Sequence, residues 1–188
     1  MAWGCRGCPF KIVMNAQYYK EPLMNIFVLD LDVVKCAEYH VDSHVRKMIL
    51  ESAQLLSNTH YFADSSFLSK KPGYLNHPCS VWTRTSKQNY EWLSSLAWEL
   101  LNEFDLRFDK IHAYQDKIHW FKDCVPNLPD IGLTDFSLAM PDYCKIENNT
   151  VASYRNYYCI EKTHLAKWTL RQAPKWYKDL SFKKEAVQ

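Results

Sequence analysis

The chain has 188 residues, enough to bury one sizeable core without disulfide or metal staples, so a single domain is expected. Its 23 Lys and Arg against 21 Asp and Glu leave a formal charge of +2, which excludes a globally basic nucleic-acid binder and confines any such contact to a local patch. Seven Trp, 12 Tyr and 9 Phe beside only 4 Gly favour a helical body with aromatic side chains available for stacking, and seven cysteines with a single CxxC (Cys5 to Cys8) point to a reducing cytoplasm rather than a secreted disulfide framework.

Residues 1–23 share no pattern with the rest of the chain and read as an N-terminal extension outside the core; the apolar segment MNIFVLD opens at Met24. Asp32 is placed to cap a helix through Val33, Val34, Ala37 and His40, and Asp42 or Ser43 can cap a restart that runs to about Phe62. Ala63 to Leu75 carries Pro72-Gly73 and reads as a loop. It leads to Asn76-His77-Pro78, where the residue before proline is held out of the helical region and Pro78 enters a first turn. A long central helix is expected from Pro78 to Phe108, with Trp82 packing in the core. An amphipathic helix is expected from Lys110 to Lys122, then a long loop over Asn127 to Asn149. Asn149 and Thr150 sit at the cap of a last helix, Val151 to about Leu170, followed by Lys175-Trp-Tyr-Lys178 and a frayed tail at 181–188. The expected fold is therefore all-α: a single-domain helical bundle with long loops over residues 24–180. No run approaches the ~18 apolar residues of a membrane span, so no membrane partner is expected.

At about 100° per residue, His40, His44, Lys47 and Glu51 fall in one stripe beside the apolar face of Val41, Val45, Met48, Ile49 and Leu56. Two groups that titrate near neutrality, an ammonium and a carboxylate make this stripe the candidate catalytic set. A polar face whose histidines make ordinary hydrogen bonds is the competing reading. The same stripe places two imidazoles one turn apart, as a divalent metal site requires, with His77 or Glu51 as a third ligand. The residues between them, Val41, Asp42 and Ser43, lack the glutamate of HExxH, and no cofactor is expected. Arg46, Lys47 and Arg84 are then the groups for phosphate, with Asn76 and His77 facing the stripe. In the last helix basic and aromatic residues alternate, which suits phosphate contact combined with base stacking: Tyr154 is a candidate binding residue, and Arg155, Tyr158 and Lys162 share a face expected to meet the ligand. Alanine at His40, His44 or Glu51 is expected to change stability by less than ~1 kcal/mol.

From Met24 to Phe108 the chain resembles the phage-type pyrimidine-dimer DNA glycosylases of the endonuclease V type, and phage proteins that begin MNIF-LD. The resemblance rests on the short N-terminal segment, the helix with Ala37, His40 and Arg46, the Gly73-Tyr-Leu-Asn-His-Pro78 turn and the long helix after it, with an echo in Trp176-Tyr-Lys178. It implies a compact helical domain in the host cytoplasm that acts on DNA bases or nucleotides, with N-glycosidic base excision as the reaction. The family attacks the sugar with its N-terminal amine and uses a glutamate directly after the arginine; here that position is Lys47, itself an amine suited to imine formation. DNA-base hypermodification by group transfer, and a non-catalytic nucleotide- or protein-binding role such as counter-defence, are the other functions that fit this residue set.

Overall fold

Four of the six α-helices among the described residues begin where a side chain or a proline supplies what the first turn lacks. The computed structural model describes residues 24–67 and 71–179, so the expectations for the 1–23 extension and the 181–188 tail lie outside the described residues. The Asp32 carboxylate accepts the Val34 and Lys35 N–H groups to start α1 (Val33–Tyr39), and α2 spans Asp42–Ala63. His77, extended at φ −63°, ψ 139°, caps α3 (Pro78–Thr85) with Pro78 in its first turn. Next come α4 (Lys87–Phe108), α5 (Gln115–Asp123) and α6 (Thr150–Glu161), whose cap is the Asn149 side chain on the Ala152 N–H. Two short 3-10 turns flank α6, and residues 175–179 add a last helical turn. Among the described residues there is no strand, and the architecture is all-α.

The two 22-residue helices α2 and α4 pack most extensively on each other, and α1, α3 and α5 pack on that pair. The N-terminal segment crosses this layer in extended form with Val28 and Leu29 fully buried, while Tyr154 and Tyr158 of α6 enter the same core. Trp82 is buried and stacks on Phe136, with its indole N–H on the Thr134 carbonyl. No helix among the described residues is long and apolar enough to cross a membrane.

Three helix boundaries differ from expectation, each for a local reason. The run from Pro78 to Phe108 breaks at Ser86, which turns extended so that its hydroxyl accepts the Asn89 N–H and opens a new helix. Asn89 then ties the break to the long loop through the Trp82 carbonyl and Thr134. The run expected from Lys110 starts only at Gln115, because Asp109 adopts φ 50° as a left-handed C-cap and the chain must turn before resuming. The last helix stops at Glu161 rather than near Leu170. There the Asp42 carboxylate accepts the Thr169 N–H at 2.9 Å and its hydroxyl at 2.7 Å, and the Lys167 carbonyl accepts the Asp42 N–H, a tertiary grip that overrides helical continuation.

Candidate functional site

The stripe read from periodicity is interrupted at its first member. His40 is the C-cap of α1 with ψ 136°, so it does not continue the helix that carries His44, Lys47 and Glu51. The break is fixed by Arg107 of α4, a buried guanidinium that donates to the Glu38 and His40 carbonyls at the end of α1 and to Asp42 at the start of α2. Glu103 holds the same guanidinium at 2.8 Å and also pairs with Arg171. Arg107 thereby satisfies carbonyls left open where a helix ends.

His40 is sealed in the core. Its Nδ1 donates to the Cys36 carbonyl at 2.7 Å, its Nε2 is buried without a partner among the described residues, and burial pushes the imidazole down to about 4. His44 sits one turn into α2 with its ring stacked on Phe27 at 4.4 Å and its Nδ1 2.6 Å from the Tyr158 hydroxyl. Burial, followed by the neighbouring His40, Lys162, Lys47 and His164, pushes His44 down to about 2, so the ring is neutral at pH 7. Tyr158 itself is fully buried, which corrects the expectation that Arg155, Tyr158 and Lys162 form one ligand-facing set. Expecting His40, His44 and Glu51 to lie outside the core is likewise corrected, since they are 0%, 5% and 4% exposed.

Lys47 and Glu51 form the part of the stripe that reaches solvent. The Lys47 ammonium, with its side chain 42% exposed, lies 3.0 Å from Glu51 Oε1, whereas the Glu51 side chain is only 6% exposed. Glu51 Oε2 accepts the Asn25 backbone N–H at 3.0 Å, and burial raises the carboxyl above its ordinary range against the pull of Asn25 and Lys47. Asn25 links this carboxylate to α6, because its side-chain oxygen accepts the Tyr154 hydroxyl and its amide donates to the Ala139 carbonyl. Lys162 caps the end of α6 with its ammonium 4.9 Å over the Tyr157 ring, and Tyr157 in turn stacks near Phe27. Lys47, Lys162 and His164 are thus gathered around one neutral imidazole.

The structure brings together His44, Lys47, Glu51, Tyr154, Tyr158 and Lys162 through Phe27 and Asn25. His40 packs edge-on against the same Phe27 and Tyr158, and the remaining residues lie elsewhere. Arg46 lies over the Phe108 ring at 4.1 Å. Arg155 donates to the Leu29 carbonyl and pairs with Asp30 at 3.1 Å while lying over Trp176. Asn76 is exposed, His77 accepts the Cys79 N–H as a cap, and Arg84 donates to the Leu75 carbonyl, in a turn that Asn58 of α2 holds through the Gly73 carbonyl. Among the described residues no three His, Cys, Asp or Glu side chains converge as metal ligands. Residue-by-residue reading passed over Asn25, Phe27 and His164; the one available signal was Asn25, a polar residue inside an apolar segment that must find partners once buried.

Comparison with protein-family models, curated proteins and solved structures finds no match to this chain.

Proposed function

We propose that the protein acts on DNA bases or nucleotides by N-glycosidic base excision, with Lys47 and Glu51 as the reacting pair and Lys162 and His164 holding phosphate. The observation that carries this reading is the 3.0 Å contact between a half-exposed amine and a buried carboxyl whose proton affinity is raised by its surroundings. Glu51 takes the proton from the Lys47 ammonium, and the freed amine attacks the sugar C1′. The glycosidic electron pair leaves with the base, which takes the same proton from Glu51. The C1′–O4′ bond then breaks, O4′ takes one proton from the Lys47 nitrogen, and a protonated imine remains on Lys47. His44 is outside this transfer: a ring neutral down to about pH 2 neither donates nor accepts a proton readily near neutrality. Its part is to fix the floor of the site through Phe27 and Tyr158.

Borohydride trapping on duplex and single-stranded oligonucleotides tests the reading. A covalent adduct that disappears in Lys47→Gln and slows sharply in Glu51→Gln supports it. Nucleic-acid binding with no adduct and no abasic product removes the excision step and favours a binding role, for which the grip of Glu51 on the Asn25 N–H, a purely architectural contact, is the specific support. A base of increased mass identifies group transfer instead.

A further inference from the structure

At the other end of α2 the chain exposes aromatic surface on a rigid mount. Phe62, one residue from the end of the helix, is 65% exposed, and the Arg84 guanidinium of α3 lies 4.5 Å over its ring. Tyr74, in the turn that precedes α3, is 47% exposed and holds φ 61°, a left-handed backbone that a bulky side chain adopts only under constraint. The constraint is visible. The buried Asn58 amide donates to the Gly73 carbonyl at 3.1 Å, the His77 N–H to the Tyr74 carbonyl at 3.0 Å, and Arg84 to the Leu75 carbonyl. Because Arg84 touches both Phe62 and the residue after Tyr74, the two rings belong to one surface, with Lys71, Asn76 and Val81 exposed in the same segments. Among the described residues Arg84 makes no salt bridge, so its charge is left for an outside anion.

We infer that Phe62, Tyr74 and Arg84 form a platform for an unpaired nucleobase and its adjoining phosphate, that is, for single-stranded nucleic acid. Exposed rings offer their faces to a base, a guanidinium beside them takes the phosphate, and an exposed asparagine amide suits a base edge. Phe62 stands eleven residues, about three turns and ~16 Å, beyond Glu51 on the same side of α2. A strand engaged at both places must therefore be several nucleotides long. The inference rests on the nucleic-acid reading of the Lys47 site but makes a separate demand, namely that affinity depends on strand length through these rings.

Fluorescence anisotropy of the full chain with a labelled oligothymidylate of about twelve nucleotides and with a dinucleotide provides the test, since loss of one stacked base weakens binding about tenfold. Phe62→Ala and Tyr74→Gly are expected to weaken the long strand about tenfold and to leave the dinucleotide unaffected. Glycine relieves the left-handed backbone, so the second variant should melt no lower than the parent and a folding defect cannot mimic the result. If the long strand binds and both variants bind it as tightly as the parent does, the platform is wrong while the reading of the Lys47 site stands. If the variants lose the strand yet no Lys47 adduct forms, the platform stands and base excision falls. If neither oligonucleotide binds at low salt, both are overturned.

Discussion

The Tyr158 hydroxyl and the His44 Nδ1 meet at 2.6 Å in the core. One proton is shared between the phenol and the imidazole, so each of these buried groups depends on the other for its partner.

Removing that phenol strands a buried ring nitrogen. Tyr158→Phe should lower the unfolding free energy by ~1 to 3 kcal/mol in urea titrations, the cost of an unsatisfied buried polar atom. His44→Ala opens a cavity against Phe27 as well and should cost at least as much. A change below ~0.5 kcal/mol in both variants would contradict the buried pair, because surface substitutions stay within that range.

Burial pushes His40 and His60 down to about 4 and His44 to about 2. All three are neutral in the folded protein at pH 7, whereas the unfolded chain takes up protons at each near its ordinary 6.5. Below that pH the unfolded state binds more protons, so the stability these groups contribute is whole above ~6.5 and is lost progressively as the pH falls toward about 4. Glu51 runs the other way: raised by burial, it contributes below its ordinary carboxylate pKa and loses that contribution as the pH rises. Thermal melts should therefore show the melting temperature dropping from pH 7 to pH 5, with a slope that steepens toward the acid end as the unfolded histidines take up protons. His60→Gln should flatten that slope by about one proton, and an unchanged slope would mean that His60 is not held neutral.

The Arg107 network invites a comparison of two substitutions on one carboxylate. Glu103 is almost fully buried and faces both Arg107, which is buried, and Arg171, whose side chain is 34% exposed. Glu103→Gln leaves the Arg107 charge under-compensated and should destabilise by roughly 3 kcal/mol. Arg171→Ala removes a partner at the surface and should cost about 1 kcal/mol or less. Equal costs in chemical denaturation would mean that the buried half of the network carries no special weight.

Much of the helical order was readable because it is local. Asp32, Pro78 and Asn149 act at the helix starts through their own side chains or ring, and the apolar run in MNIFVLD marks a buried extended segment. What escaped the sequence is contact made across long separations. His40 leaves the stripe because Arg107, 67 residues later, caps α1. The last helix stops because Asp42 takes Thr169, 127 residues away. Periodicity also cannot tell a polar stripe facing solvent from one facing other polar groups. Projection therefore placed His44 and Glu51 together but gave no sign that Tyr158 and Asn25 cover them.

The nucleic-acid reading makes a prediction about salt that separates free cations from those already occupied. Arg155 is committed to Asp30 and the Leu29 carbonyl, and Arg46 lies on Phe108, whereas Lys162 makes no salt bridge among the described residues and lies over the Tyr157 ring, and Lys47 faces solvent beside Glu51. Each cation that neutralises a phosphate releases about 0.7 to 0.9 of a counterion, so removing it flattens the plot of log affinity against log salt by that amount. Lys162→Gln should weaken oligonucleotide binding and reduce the slope by nearly one. Lys47→Gln removes a positive charge but frees Glu51, and should weaken binding by more than its slope change accounts for. Arg155→Gln should lower thermal stability yet leave the slope as it was, because its charge is spent on Asp30. A slope that falls with Arg155→Gln and not with Lys162→Gln would move the phosphate contacts to the outer face of α6 and away from the Lys47 site.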